Sequence, residues 1–284
     1  MTHDDELHDH DRGLSHDLPM LSRRRTLTLF GGAGLAAALA SCGIGSTDQS
    51  EAADSPSPSG TSGGGSTGAE SETVTSTGTE IPEETAGPYP GDGSNGVNVL
   101  TETGIVRSDI TTSFGSASAI AVGVPLTITL SVLDVSSGSG PLAGAAVYLW
   151  HCDINGKYSL YSDGITQENY LRGVQETGSD GSVRFTSIFP AAYSGRWPHI
   201  HFEVYPSLEA ATTASGRLRT SQLALPEDAC ALVYATDGYE QSVRNMAQTS
   251  LDTDNVFSDG YSLQLATVTG DDDTGMAATL NVPV

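Results

Sequence analysis

The chain has 284 residues, with 12 basic against 35 acidic side chains and a formal net charge of −23. So acidic a surface excludes nucleic acid and polyanions as partners and suits solubility outside a cell. With 37% hydrophobic residues, the chain still carries enough apolar material for a real core.

In chain order, Ser22-Arg23-Arg24-Arg25 precedes an apolar run from Leu27 to Ala40. That run has the length of a signal-peptide core and falls short of the ~20 residues a membrane span needs. The paired arginines resemble a twin-arginine export signal. Leu39-Ala40-Ser41-Cys42 resembles a bacterial lipobox, where cleavage leaves Cys42 at the new N-terminus to carry lipid. A plain signal peptide with an incidental cysteine is the other reading. Residues 1–42 are thus expected to be a signal peptide, and the protein a surface lipoprotein held to the membrane by its N-terminus, or a secreted protein. Residues 43–80 are Ser, Gly, Thr and acidic residues with almost no bulky apolar side chain. Such a stretch buries too little surface to offset its ordering entropy, which predicts a disordered linker with a reach of about 35 Å.

Residues 81–284 are the expected catalytic domain, all-β, a β-sandwich with long loops and little helix. Pro125 to Asp134 alternates with period two, and Ala145 to His151 is a near-continuous apolar run suited to a buried strand. Further strands are predicted at Ser182 to Ile188, His199 to Tyr205, Tyr261 to Val268 and Ala277 to Val282. Turn signals separate them, among them Asn155-Gly156, Ser179-Asp-Gly181 and Asp259-Gly260. Only Pro226 to Arg244 has a helical look. Many short strands at regular spacing indicate a sandwich or barrel. With Cys42 assigned to the lipobox, Cys152 and Cys230 are an even pair in an exported domain, which predicts a disulfide over two buried thiols.

His199 and His201 lie in Arg196-Trp-Pro-His-Ile-His-Phe202. On an extended strand alternate side chains share a face, so the two imidazoles point the same way. Taken alone, the pair is as consistent with core packing as with a metal. Tyr193, six residues earlier, and Tyr158, just beyond the Trp150-His151 strand end, supply two candidate phenolates. Phenolate is a hard anionic donor, so two tyrosines with two histidines point to ferric iron. A zinc or copper site on the histidines alone leaves the tyrosines unexplained. His151 is expected to be a hydrogen-bonded core or ligand-supporting residue, and Trp150 and Trp197 to be packing.

Three segments, Val147 to Ser159, Asp180 to Tyr193 and Arg196 to Phe202, resemble the intradiol ring-cleavage dioxygenases, the family of catechol, hydroxyquinol and protocatechuate dioxygenases. Pro82-Glu-Glu-Thr-Ala-Gly-Pro88-Tyr89 and Thr220-Ser-Gln222 resemble further family segments, in the family's order. The resemblance implies Fe(III) held by Tyr158, Tyr193, His199 and His201, with Tyr193 the ligand that leaves when substrate binds. It implies that Arg196 stabilises charge developing on the diol carbons and that Gln222 orients the same oxygens. Pro88 and Tyr89 are at positions resembling pocket wall, with core packing the other reading of each. The implied reaction takes a catechol-type diol and dioxygen to a muconate-type diacid, with no organic cofactor. The alternative is a non-catalytic surface β-sandwich that binds aromatic or other ligands. The family's helical dimerisation region has no counterpart, so the resemblance implies no oligomeric state. The short Ser194 to Pro198 loop predicts an open pocket that admits bulky diols.

Overall fold

The structure, a computed structural model, describes residues 78–284. The signal segment, Cys42 and nearly all of the predicted linker lie outside the described residues. Among the described residues, nine strands and three short α-helices follow in order: β1 (Pro125–Asp134), β2 (Gly140–Pro141), β3 (Ala146–Trp150), β4 (Arg172–Glu176), β5 (Ser182–Ile188), β6 (His199–Tyr205), α1 (Leu208–Thr212), β7 (Arg219–Ala224), α2 (Glu227–Tyr234), α3 (Glu240–Met246), β8 (Thr267–Asp271) and β9 (Gly275–Pro283). They form two sheets. One runs β2-β1-β9-β8, with β5 also paired to β1; the other runs β4-β3-β6-β7 and is antiparallel throughout. The β1–β9 pair is parallel.

Period-two alternation places the core between the sheets. Leu126, Ile128, Leu130 and Val132 of β1, with Ala278, Leu280 and Val282 of β9, face Val147 and Leu149 of β3 and Ile200, Phe202 and Val204 of β6. The opposite face of β3 and β6 then carries Ala146, Tyr148 and Trp150 alongside His199, His201, Glu203 and Tyr205. That face is covered rather than solvated, by Val99, Leu100 and Ile105 from the irregular arm before β1 and by Tyr158 from the loop after β3. Every residue of β3 and of β6 is therefore buried. The histidine pair sits in this covered layer.

Two expectations need correction, and two further strands had no signal in the sequence. Tyr261 to Val268 does not form one strand. Gln264 and Leu265 turn back to hydrogen-bond the Tyr261 carbonyl, and the chain then docks on Ala224, so β8 begins only at Thr267. Arg172–Glu176 and Arg219–Ala224 are strands despite weak apolar patterning, because their backbones complete the edges of the four-stranded sheet. Cys152 and Cys230 are free thiols, not a disulfide. They belong to different core clusters: Cys152 donates to the Ala191 carbonyl at 3.6 Å in the outer layer, while Cys230 packs from α2 into the inter-sheet core. Burial pushes both thiols up, so each is inert where it lies.

Candidate metal centre

Adjacent strands and two loops bring four donors together. His201 pairs in register with Trp150 on one side and Gln222 on the other, and its ring stacks on the Trp150 indole, centroids 4.9 Å apart and 4° from parallel. His199 Nδ1 lies 2.5 Å from the Trp197 carbonyl. A carbonyl only accepts, so Nδ1 carries the proton and Nε2 presents a lone pair. That Nε2 is 3.1 Å from His201 Nε2 and 3.1 Å from Tyr193 Oη.

Tyr158 enters from the loop after β3. Asp153 Oδ1 accepts from Asn155 N at 2.8 Å and Lys157 N at 3.0 Å, closing the tight turn that delivers it. Tyr193 is fixed by its neighbours: Ala192 N donates to Ser242 Oγ at 3.1 Å, and Asn245 Nδ2 donates to the Ala192 carbonyl at 2.8 Å, both from α3.

Two glycines permit the close approach. A Cβ on Gly87 would come 3.3 Å from His201 Cε1, so the 85–89 segment lies directly on the imidazole. A Cβ on Gly156, at φ +75°, would come 2.9 Å from Tyr193 Cβ. Gly156→Ala is accordingly expected to cost about 1–2 kcal/mol from the left-handed backbone alone and to displace the Tyr193 ring. A thermal melt with near-ultraviolet dichroism of the tyrosines checks both, and an unchanged aromatic spectrum would count against the contact.

Burial sets the protonation of the donors. His199 and His201 are each 2% exposed and held well below the usual histidine range, by desolvation first; Arg196 adds to it for His199, and His199 followed by Arg196 for His201. Neutral imidazoles are what a metal requires. Desolvation likewise drives Tyr158 well above the usual tyrosine range. Its Oη makes no hydrogen bond of normal geometry, although the Tyr193 phenol is near enough to raise it further.

A buried hydroxyl without a hydrogen bond, in the same covered layer as the His199 lone pair and the neutral His201 imidazole, whose Nδ1 also has no hydrogen-bond partner, fits a cation that would convert the phenol to phenolate. Among the described residues no three His, Cys, Asp or Glu side chains cluster to hold a metal. The donor set here instead takes its anionic share from tyrosine, and so fits a hard trivalent ion better than zinc or copper.

Arg196 and Gln222 stand beside these donors, 1% and 0% exposed. Arg196 Nη2 donates to Gln222 Oε1 at 2.7 Å, and Gln222 Nε2 donates to the Thr85 carbonyl at 2.9 Å. Tyr89 packs its ring 5.1 Å from Tyr158 and 5.2 Å from Tyr161, forming an aromatic run from the buried phenol to half-buried positions. Pro88 is half-buried in the same segment, and its carbonyl accepts from Asn95. Trp197 is packing, as expected, its indole N–H on the Leu225 carbonyl.

His151 stays out of the donor set. Its Nδ1 lies 2.8 Å from the Cys152 carbonyl and its Nε2 2.6 Å from Ser187 Oγ. Desolvation lowers its pKa to about 4 from 6.5. Between those values the unfolded chain binds a proton that the native fold refuses, so stability falls as pH drops. The share from this one group is about 2–3 kcal/mol between pH 7 and pH 4.5. His199 and His201 act in the same direction, so the test is a difference: His151→Gln should show a shallower loss than wild type in urea unfolding at pH 7, 5.5 and 4.5. Equal slopes would refute the assignment.

Sequence reasoning missed two buried charged residues. Asp254, from an unpatterned polar stretch, holds Arg196, and Arg172, in β4, ties Tyr89 and Pro90 to Ser159. Neither stretch carries a spacing that marks it.

Residues 105–199 match the family model described as Dioxygenase. A 71-residue stretch is 37% identical to chlorocatechol 1,2-dioxygenase of Rhodococcus opacus, covering 25% of this chain and 27% of that enzyme, about a quarter of its length. The fold superposes on the intradiol ring-cleavage dioxygenase of Tetranychus urticae with a TM-score of 0.57 at 25% identity, over 72% of this chain and 94% of that one. In its two-sheet fold the chain is thus similar to the intradiol ring-cleavage dioxygenases, and over residues 105–199 it matches the Dioxygenase family model.

Proposed function

We propose that the domain cleaves catechol-type diols with dioxygen between the two hydroxylated carbons, giving muconate-type diacids, at a ferric ion held by Tyr158, Tyr193, His199 and His201. The observation that carries this reading is the meeting of two neutral imidazole nitrogens, the Tyr193 hydroxyl and the unbonded Tyr158 hydroxyl beside Arg196 and Gln222. Bound Fe(III) would supply a Lewis acid that gathers both diol oxygens and activates the ring toward dioxygen.

The residues do the rest. Tyr193, half-buried where Tyr158 is fully buried, is the more accessible phenol and the one that would turn outward and take up a diol proton. The Trp197 carbonyl keeps the His199 lone pair aimed inward. Arg196 presents a fixed cation to charge developing on the diol carbons, and Gln222 orients the oxygens. The covered layer excludes bulk water, which strengthens each of these interactions.

The purified full-length protein tests this directly. It should contain iron, be red-brown from tyrosinate charge transfer, change colour when catechol is added without air, and consume dioxygen as ring-opened diacid forms. A colourless preparation that ferric iron cannot reconstitute would favour the non-catalytic binding module.

The aromatic run through Tyr89 to Tyr161, with the short 194–198 loop, supports acceptance of diols larger than catechol. Rates on catechol, protocatechuate, hydroxyquinol and caffeoyl-type diols decide this, and strict preference for plain catechol would sink it. Export and anchoring belong to the same proposal: residues 1–42 direct the protein out of the cytoplasm, Cys42 carries lipid, and residues 43–80 tether the domain 81–284. Cys42→Ser should release the protein from the membrane fraction.

A further inference from the structure

Asp254 lies outside every segment that carries the family resemblance, yet it is fully buried and its carboxylate accepts five hydrogen bonds. Oδ2 takes Arg196 Nε at 2.9 Å and Trp197 N at 2.7 Å. Oδ1 takes Val256 N at 2.9 Å and Phe257 N at 3.2 Å, with a longer contact of 3.4 Å from Arg196 Nη2. The turn that Asp254 closes also sets Phe257 against the His199 ring, centroids 6.5 Å apart. Arg196 Nη2 meanwhile donates to Gln222 Oε1.

A guanidinium is a rigid planar fork, so holding Nε and Nη2 fixes its plane. Both members of this ion pair are buried, at 1% and 0% exposure. Without the carboxylate, Arg196 would be a buried charge free to turn toward other acceptors. Three elements thus meet on one side chain: the 254–257 turn, the loop before β6, and β7 through Gln222.

We infer that Asp254 is a positioning residue for the diol chemistry: it sets the plane of the Arg196 guanidinium against Gln222 and balances its charge where negative charge develops on substrate. This rests on the functional reading above, in which Arg196 faces the diol. Asp254 touches no substrate atom in this role and acts only through Arg196. An asparagine would keep the shape, but in either amide orientation its NH2 would oppose N–H donors, those of Arg196 Nε and Trp197 or those of Val256, Phe257 and Arg196 Nη2, so the guanidinium loses both its charge balance and part of its grip.

The test is a double-mutant cycle on the full-length ferric protein, with Asp254→Asn, Arg196→Gln and the pair, reading kcat, KM, iron content and the charge-transfer band. Asp254→Asn should lower kcat about 100-fold, the scale of losing one transition-state donor, while KM moves less than about threefold and iron and colour are retained. In the Arg196→Gln background the same change should cost less than about threefold more. Losses that multiply, an unchanged kcat in Asp254→Asn, or loss of iron and colour with it would each overturn the positioning role.

Should Asp254→Asn fail to fold, Asp254→Glu keeps the charge and shifts the fork by a methylene. It should lose at least about tenfold in kcat with iron content unchanged, and wild-type kcat there overturns the role. A wild-type protein that cleaves no diol overturns the functional reading and this role with it. Cleavage by wild type without coupling between positions 196 and 254 overturns the role alone.

Discussion

Tyr158→Phe is expected to stabilise the metal-free protein by about 1–3 kcal/mol while abolishing the ferric colour and lowering iron affinity more than about 100-fold. The substitution removes one atom. In the metal-free fold that atom is a buried hydroxyl without a hydrogen bond of normal geometry, which has left water for no more than the poorly placed Tyr193 phenol. Phenylalanine fills the same space against Tyr89 and Tyr193 without that cost. With iron present the sign reverses, because the lost oxygen is the donor that would balance the ion's charge deep in the layer. Even partners one shell out from a metal change affinity about 10–100-fold, and a ligand should exceed that.

Urea unfolding of the metal-free proteins, paired with iron titration followed by absorbance, measures both signs. A packing tyrosine would give destabilisation with no change in iron binding, the opposite pattern. Zinc or copper on the histidine pair alone would leave the affinity of Tyr158→Phe near wild type. The same substitution therefore separates the three readings of His199 and His201.

The parts of this molecule legible in its sequence are those whose local pattern and tertiary role coincide. β1 alternates because one face meets the core, and β6 alternates between Ile200, Phe202 and Val204 on one side and the two histidines on the other. The tyrosines were found by donor chemistry and by the resemblance, and the fold does bring Tyr193 within hydrogen-bond distance of His199. β4 and β7 were illegible because their side chains are half polar. Arg172, Gln222 and Thr220 are buried there through hydrogen bonds to remote segments, which no periodicity reports. The disulfide expectation failed for a related reason: an even count of cysteines says nothing of which core layer each one enters. Asp254 was invisible because a carboxylate in a turn is ordinary until the turn is seen to close over a buried arginine.

Arg172 illustrates how much of the site depends on such residues. It is 1% exposed, and all five of its N–H donors are used. Nε donates to Ser159 Oγ at 3.1 Å, Nη1 to the Pro90 carbonyl at 2.9 Å and Tyr148 Oη at 3.0 Å, and Nη2 to the carbonyls of Tyr89 and Ser159, each at 2.9 Å. One side chain thus joins the arm before β1, the outer face of β3 and the loop that carries Tyr158. Every acceptor is neutral, so the guanidinium's place depends on hydrogen bonds rather than on an ion pair. Arg172→Leu orphans several acceptors at once, at about 1–3 kcal/mol each, and is expected to cost about 4–6 kcal/mol in all. For a domain of this size that lowers the melting temperature by roughly 10–20 °C, out of a typical total stability of about 5–15 kcal/mol. Arg172→Lys should rescue little, because three donors on a flexible stem cannot span acceptors set for a planar fork. The loss should fall first on the 85–91 segment, where Gly91 N donates to the Tyr161 hydroxyl at 2.8 Å and should lose exchange protection. Hydrogen exchange at that segment, measured with the melt, decides the matter: a melting temperature within about 3 °C of wild type, less than the roughly 4 °C that even 2 kcal/mol would give, would mean that water replaces the guanidinium and that the arm is held by its apolar contacts alone.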